Sequence, residues 1–129
     1  MKISKKSQYG LRAMIHLAQR DGSFCSLKEI SEKESIPFNY LEKICSQMEK
    51  GGLLKSRKGV YGGYALAKKH EDITVGELFR CLGERMLLVD CIDGICAQKK
   101  HCKSINAWEK IQKSLEKTIN SITLISLIK

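Results

Sequence analysis

The sixteen residues PFNYLEKICSQMEKGG, at positions 37–52, constrain the fold more than any other stretch of this chain. Apolar side chains recur at the 3, 4 and 7 spacing of an amphipathic helix with one buried face: Leu41, Ile44, Cys45 and Met48. Pro37 suits a first helical turn, and Gly51-Gly52 is a natural helix end. The sequence therefore predicts a helix over about 38–50 with a polar outer face.

Two further helices are predicted ahead of this one. Residues 7–20 carry helical periodicity up to an Asp-Gly turn. Ser26 followed three residues later by Glu29 is a capping box, which opens a brief second helix.

A two-stranded hairpin is predicted to follow the third helix. LLKSRKGVYGGYALAK contains two short strand-forming runs around a glycine-rich turn that carries Arg57 and Lys58. A second capping box, Thr74 with Glu77, then opens a helix that runs to about residue 83. Three helices and a cationic hairpin are the element order of a winged helix-turn-helix.

The C-terminal region predicts a long helix with a narrow apolar seam. The seam residues recur at spacings of 3, 4, 4 and 3: Trp108, Ile111, Leu115, Ile119 and Ile122. A seam this narrow suits pairing with a symmetry-related copy, and packing on the chain's own winged helix is the alternative. The predicted fold is mainly α with a small β-hairpin. It comprises a winged helix-turn-helix over 1–73, and a cysteine loop with a long C-terminal dimerisation helix over 74–129.

The charge distribution favours an anionic partner for the N-terminal half. Residues 1–70 hold 14 Lys and Arg against six Asp and Glu, whereas residues 71–129 hold nine against eight. A helix with hydrogen-bonding side chains fits the major groove of double-stranded DNA, and a cationic hairpin tip suits the phosphate backbone. The alternative is an ordinary solvated helix face. The candidate DNA-binding residues are Asn39, Tyr40, Glu42, Lys43, Ser46, Arg57 and Lys58.

Three cysteines lie close together in the segment DCIDGICAQKKHCKSI, which lacks helical or strand periodicity. Cys91, Cys96 and Cys102 have the spacing C-x4-C-x5-C. Three thiolates from one loop suit an iron–sulfur cluster. Zinc is less favoured and draws on the neighbouring His101, and metal-free thiols are the third alternative. The other cysteines are predicted to be buried apolar residues: Cys25, Cys45 and Cys81.

Several classes of protein are disfavoured by the sequence. No run of 18 apolar residues is present, and the N-terminus lacks the apolar core of a secretory signal, so a cytoplasmic protein without disulfides is expected. No nucleophile–base set, Walker motif or dinucleotide fingerprint appears, so we do not expect an enzyme.

Four stretches resemble the iron–sulfur winged-helix transcription regulators, the family that includes IscR, NsrR, RirA and CymR. They are SQYGLRAMIHLA, SLKEISEKESIPFNYLEKICSQMEKGGLL, GVYGGYALAK and ITVGELFRCLGE. The resemblance implies a homodimer on a near-palindromic operator and a 2Fe-2S or 4Fe-4S cluster on Cys91, Cys96 and Cys102 that sets DNA affinity. It also implies that Asn39, Glu42 and Lys58 lie where the family reads or clamps DNA.

The fourth cluster ligand is where the sequence departs from its relatives. In one branch of the family a His follows the third cysteine by three positions, where this chain has Ile105. In another branch an acidic residue near the N-terminus ligates, and the matching position is Gln8. The remaining candidates are His101, Asp90, Asp93 and Glu84.

Two alternatives to a cluster-sensing regulator stay open. Some family members carry no cluster, and thiol oxidation or a partner enzyme would then control DNA binding. A small iron–sulfur or zinc protein with an incidental basic surface is the second alternative.

Overall fold

The computed structural model describes residues 2–88 and 102–129, and within those ranges it contains six α-helices and one antiparallel β-hairpin. The elements in chain order are α1 (Lys5–Ala18), α2 (Leu27–Glu34), α3 (Phe38–Lys50), β1 (Leu54–Arg57), β2 (Gly63–Leu66), α4 (Val75–Cys81), α5 (Ile105–Ser121) and α6 (Leu124–Ile128). A 3₁₀ turn covers His70–Asp72. The predicted architecture, mainly α with a small β-hairpin, is confirmed.

Helix α3 has the predicted bounds, and its end is fixed by a glycine. The amide of Leu53 donates to the carbonyl of Met48 at 2.9 Å, and the amide of Gly52 donates to the carbonyl of Glu49 at 3.0 Å. Gly52 has φ +83°, a left-handed conformation that a residue without a Cβ adopts readily. This cap turns the chain directly from α3 into β1.

Both predicted helix caps form through one of the two hydrogen bonds of a capping box, in which the side-chain oxygen of the cap residue accepts from the amide three residues later. Ser26 Oγ accepts from the amide of Glu29, and Thr74 Oγ1 accepts from the amide of Glu77, each at 3.1 Å. The Glu29 carboxylate contacts His16 and Arg20 instead of turning back to its own cap. The Glu29 carboxylate therefore ties α2 to the end of α1 and the residues that follow it.

The first and fourth helices differ from their predicted ends by two residues. Helix α1 begins at Lys5, because Ser4 caps it by accepting from the amide of Ser7 at 3.2 Å, and it ends at Ala18 instead of residue 20. Helix α4 ends at Cys81 instead of about residue 83, because Gly83 adopts φ +75°.

One hydrophobic core joins the helices to the hairpin. Strands β1 and β2 pair from Leu54 with Leu66 to Arg57 with Gly63. Large fully buried side chains come from all three N-terminal helices, the connection between α3 and β1, and the C-terminal elements, among them Met14, Leu17, Ile30, Leu41, Ile44, Met48, Leu53, Leu78 and Leu124. The apolar face of α3 is therefore fully used, and its polar face points away from the core.

The C-terminal helices close onto this core. The amide of Leu124 donates to the carbonyl of Ile73 at 3.0 Å, and the amide of Val75 donates to the carbonyl of Ile122 at 2.9 Å. Helix α5 packs along α4, and α6 packs against α1. Leu124 is 1% exposed. The division into regions 1–73 and 74–129 stays a prediction.

Candidate nucleic-acid interface and cysteine loop

The outer face of α3 presents the polar residues that the sequence predicted. Asn39, Glu42 and Lys43 are exposed, and Ser46 is half-buried beside them. A shallow groove of about 460 Å³ follows this face and is lined by Glu42, Lys43, Ser46, Gln47 and Lys50. The face offers hydrogen-bond donors and acceptors on a rigid helix whose other side is locked in the core.

Tyr40 holds the start of α3 against α1. Its ring lies edge-on to the ring of Tyr9, with centroids 5.5 Å apart and planes at 79°. The guanidinium of Arg12 lies 5.2 Å from the centroid of the Tyr9 ring. Tyr40 is 38% exposed, so it can also contact a ligand of the α3 face.

The wing is braced by Arg57. Its guanidinium lies 4.2 Å from the centroid of the Phe24 ring, and it donates to the carbonyl of Tyr61 at 2.7 Å. The neighbouring Lys58 is exposed and makes no hydrogen bond or ion pair with residues 2–88 or 102–129. The two cations of the wing therefore differ: Arg57 organises the turn, and Lys58 points its charge outward.

The tip of the wing also exposes two large side chains that sequence reasoning missed. Val60 is 94% exposed and Tyr61 is 84% exposed. Their position in a glycine-rich turn that also carries Arg57 and Lys58 could have indicated that both side chains are exposed at the wing tip. An aromatic ring and an aliphatic group at a wing tip suit contact with sugar or base edges in a minor groove.

The base of the wing is attached to the connection between α1 and α2. Cys25 and Tyr64 exchange two backbone hydrogen bonds, of 2.9 Å and 2.8 Å. Gly63 has φ +138°, and a Cβ at this position would overlap the carbonyl of Cys25. Glycine is required there because the two backbones approach so closely. The base of the wing is therefore attached directly to the connection between α1 and α2.

Only one cysteine of the predicted cluster lies within the described residues. Cys102 is half-buried just before α5, with its Sγ 2.9 Å from Ser104 Oγ. The hydrogen bond with the Ser104 hydroxyl lowers the pKa of the Cys102 thiol. A thiol that ionises readily fits a metal or cluster ligand, because the thiolate is the ligating form. The other predicted ligands lie outside the described residues: Asp90, Cys91, Asp93, Cys96 and His101.

The two remaining candidates for the fourth ligand already have partners within the chain. Gln8 Nε2 donates to the carbonyl of Ile3 at 2.8 Å. Glu84 Oε1 accepts from the amide of Ser4 at 2.8 Å. Glu84 therefore attaches the start of the cysteine segment to the N-terminus of α1, the same end that carries Gln8.

A buried glutamine that the sequence did not single out anchors the segment leading into the cysteine loop. Gln112 on α5 is 5% exposed. Its Nε2 donates to the carbonyl of Met86, and its Oε1 accepts from the amide of Leu88 at 3.1 Å. Its Nε2 also lies 3.3 Å from Glu116 Oε1 on the same helix, and nothing in the sequence sets this glutamine apart from the polar residues around it.

The end of α4 is joined to α3 by two hydrogen bonds between the same pair of residues. Gln47 Nε2 donates to the carbonyl of Cys81 at 3.3 Å, and the Cys81 thiol donates to the carbonyl of Gln47 at 3.6 Å. Cys81 was predicted to be buried, but it is the last residue of α4 and is only half-buried. Cys25 and Cys45 are buried as predicted, at 2% and 0% exposure.

The apolar seam of α5 divides into two parts. Ile119 and Ile122 pack against the core of their own chain. Trp108 and Ile111 are 36% and 48% exposed, and Leu115 is half-buried. Both predicted uses of the seam therefore have residues available: the C-terminal part packs internally, and the N-terminal part faces outward.

This arrangement defines a winged-helix protein with a polar recognition face and a cationic wing. In the described residues no helix is both long and apolar enough to cross a membrane. Residues 3–129 match the Rrf2 family, described as iron-dependent transcriptional regulators. The chain belongs to the Rrf2 family of DNA-binding transcription regulators.

Individual relatives cover almost the whole chain. The regulator CymR of Bacillus subtilis is 34% identical over 98% of this chain and 89% of CymR, and protein rrf2 of Nitratidesulfovibrio vulgaris is 32% identical over 100% of this chain and 88% of that protein. Among solved structures, CymR, the global cysteine regulator of B. subtilis, has a TM-score of 0.81 at 33% identity, covering 99% of this chain and 96% of that one. IscR of T. potens has a TM-score of 0.75 at 36% identity, covering 99% and 86%.

Proposed function

We propose that this regulator binds operator DNA as a homodimer and that an iron–sulfur cluster on Cys91, Cys96 and Cys102 sets its affinity. The observation that supports this proposal is a contact between α4, which precedes the cysteine segment, and α3. Helix α4, which leads into the cysteine segment, is hydrogen-bonded through Cys81 to Gln47 on the DNA-facing helix α3.

The α3 face supports major-groove binding. An exposed Asn39 can pair with adenine, and an exposed Glu42 can accept from the amino group of cytosine. Lys43 and Ser46 lie alongside and can reach bases or phosphates. Lys58 on the wing supplies a phosphate contact. The contact of the Arg57 guanidinium with the Phe24 ring holds the wing in position for it.

The outward part of the α5 seam supports a homodimer. Trp108, Ile111 and Leu115 form an apolar row on a 17-residue helix that packs on its own chain through α4. A symmetric pair of such helices buries this row on both chains. The two recognition helices then read half-sites about one helical turn apart, or a multiple of that distance.

The cysteine segment supports a cluster at the base of α5. Cys102 has the lowered thiol pKa that ligation favours, and the sequence places Cys91 and Cys96 within reach in the same segment. When bound, the cluster supplies iron that responds to cluster supply, iron availability, nitric oxide or oxidants. Gln112 holds residues 86–88 in place where the segment leaves α4.

Coupling follows from two contacts made by residues that lie just before this segment, Cys81 and Glu84. Cluster binding by the cysteine segment acts on α4, and Cys81 transmits the position of α4 to Gln47 in the C-terminal half of α3. Glu84 transmits it to the N-terminal cap of α1. A small shift of α3 relative to its symmetry mate changes the distance between the two recognition helices. The helices then no longer match the fixed spacing of the two half-sites, and the operator affinity falls.

The first experiment is spectroscopy of the protein purified without oxygen, with iron and sulfide assayed on the same sample. Near-equal iron and sulfide, lost in Cys102→Ser and retained in Cys45→Ala, are expected, because Cys45 is buried in the core. Operator affinity of the loaded and cluster-free protein is then compared at one salt concentration. Equal affinity for every selected operator would contradict the coupling.

The second experiment tests the recognition face. Glu42→Ala should relax sequence choice while keeping most of the affinity, because it removes a base contact rather than a phosphate contact. Selection from a random duplex library measures this directly. An unchanged consensus for Glu42→Ala and Asn39→Ala would place the recognition face elsewhere.

A second candidate function draws on the likeness to CymR. The TM-score of 0.81 to a global cysteine regulator favours a regulator that responds to thiol chemistry or to a partner enzyme without a cluster. Such a protein is colourless when purified and binds DNA fully without iron. The same spectroscopy therefore separates the two candidates.

A further inference from the structure

A second set of metal-ligating side chains lies between α1 and α2, away from the cysteine segment. His16, Cys25 and Glu29 each place one ligand atom within 4.8 Å of the other two. His16 comes from α1, Cys25 from the connection between the helices, and Glu29 from the first turn of α2. From this geometry we propose that His16, Cys25 and Glu29 form a binding site for a zinc ion.

The spacing of the three ligand atoms fits a tetrahedral ion. Zinc binds imidazole nitrogen, carboxylate oxygen and thiolate sulfur at about 2.0–2.3 Å, so neighbouring ligand atoms lie roughly 3.3–3.7 Å apart. His16 Nε2 and Glu29 Oε2 are already 3.2 Å apart. Cys25 Sγ lies within 4.8 Å of a ligand atom of each of these two residues and supplies the third corner, and water takes the fourth.

The histidine is held in the orientation that ligation requires. His16 Nδ1 contacts Glu34 Oε2 at 3.0 Å, which leaves Nε2 directed at Glu29. A carboxylate on the second ring nitrogen is the usual support of a zinc-bound histidine, because it fixes the tautomer and raises the basicity of the ligating nitrogen. The His16 side chain is only 11% exposed, so its position is set by packing.

Arg20 contacts two of the three proposed ligands through its guanidinium. Its Nε donates to Cys25 Sγ at 3.3 Å, and its Nη2 pairs with Glu29 Oε1. Glu29 therefore has one oxygen for Arg20 and the other, Oε2, for the ion. The Arg20 side chain is 47% exposed, so it can release the sulfur and stay paired with Glu29.

Metal binding at this site acts on the DNA-binding half as a whole. The ion joins α1 to α2, and the backbone of Cys25 is already paired with Tyr64 of β2 at the base of the wing. On binding, the Cys25 thiol loses its proton to solvent as the zinc–sulfur bond forms. Burial raises the pKa of this thiol, so the metal competes with a proton and binding weakens in acid.

The test uses the full 129-residue chain with the loop thiols removed by Cys91→Ser, Cys96→Ser and Cys102→Ser. Co²⁺ is titrated into this variant without oxygen, and Zn²⁺ is then added. We expect one Co²⁺ per chain with thiolate-to-cobalt absorption that Zn²⁺ abolishes. The absorption should vanish in Cys25→Ser and persist in Cys45→Ala, a matched buried cysteine.

Two variants at partly exposed positions separate ligation from a folding defect. Arg20→Ala should tighten Co²⁺ binding by about three- to tenfold, because it removes the competing donor. Glu34→Gln should weaken it by about 10–100-fold. Circular dichroism checks that each variant is folded.

Three results would overturn the zinc site. They are the absence of thiolate-to-cobalt absorption in the folded loop variant, its persistence in Cys25→Ser, and weaker binding in Arg20→Ala. None of them bears on the cluster proposal, because the three loop cysteines are absent from every protein in this test.

Discussion

Replacing Arg57 and Lys58 one at a time by Ala should weaken DNA binding in two different ways. The Arg57 guanidinium lies 4.2 Å from the centroid of the Phe24 ring and donates to the carbonyl of Tyr61 at 2.7 Å. Lys58 is exposed and directs its charge to solvent. We therefore expect Lys58→Ala to remove a phosphate contact, and Arg57→Ala to loosen the wing that presents it.

The two effects differ in their dependence on salt. Loss of one phosphate contact reduces the magnitude of the slope of log K against log salt by about 0.9. When salt rises from about 50 to about 200 mM, the affinity of Lys58→Ala should therefore fall by a factor about 3.5 times smaller than that of the unmodified protein. Arg57→Ala removes a cation–π contact and one charge-assisted hydrogen bond, together about 2 kcal/mol. That corresponds to a loss of up to about 30-fold at every salt concentration, with the slope unchanged.

Fluorescence anisotropy with a labelled duplex, repeated over a salt series, measures both quantities. Arg57→Lys is the matched variant, because it keeps the charge but loses the planar stack on Phe24, and it should behave like Arg57→Ala. Lys113→Ala on α5 serves as a control for general charge. If Arg57→Ala lowered the slope as much as Lys58→Ala, the Arg57 guanidinium would contact phosphate. The proposal that Arg57 acts only by holding the wing in position would then be wrong.

Three further predictions concern stability. Gly63→Ala should lower the free energy of unfolding by about 3 kcal/mol in urea titrations, because the new Cβ overlaps the Cys25 carbonyl and breaks the strand pairing there; an unchanged midpoint would contradict this close approach. Gln112→Ala should cost about 1–3 kcal/mol, because it leaves the carbonyl of Met86 without its buried donor, and faster amide exchange over residues 86–88 should accompany the loss. Burial raises the pKa of Cys45 to about 12. The Cys45 thiol ionises near pH 9 in the unfolded chain but stays protonated in the folded one. The free energy of unfolding is therefore unaffected by this group below pH 9, and it falls by up to about 4 kcal/mol as the pH approaches 12. Cys45→Ala should lack that component of alkaline destabilisation, and identical pH profiles would argue against it.

The sequence by itself determined the order of elements and the orientation of α3. Helix periodicity, the Ser26 and Thr74 caps and the Gly51-Gly52 end act within a few residues, so they are readable without tertiary contacts. The polar face of α3 followed for the same reason, since one buried face fixes the other. The helix ends that shifted by two residues did so at positions where a local cap or a left-handed glycine competed with periodicity.

The tertiary structure alone decided what individual side chains do. Arg57 was predicted from its charge to contact DNA, and that stays a prediction; the structure adds that its guanidinium lies against Phe24, 33 positions earlier in the chain. The α5 seam looked uniform in sequence, yet Ile119 packs on the core while Trp108 faces outward. The grouping of His16 with Cys25 and Glu29 was likewise invisible, because neither helical periodicity nor any motif relates those positions. Such contacts depend on how α1, α2 and the hairpin pack together, and packing between distant segments leaves no local pattern in the sequence.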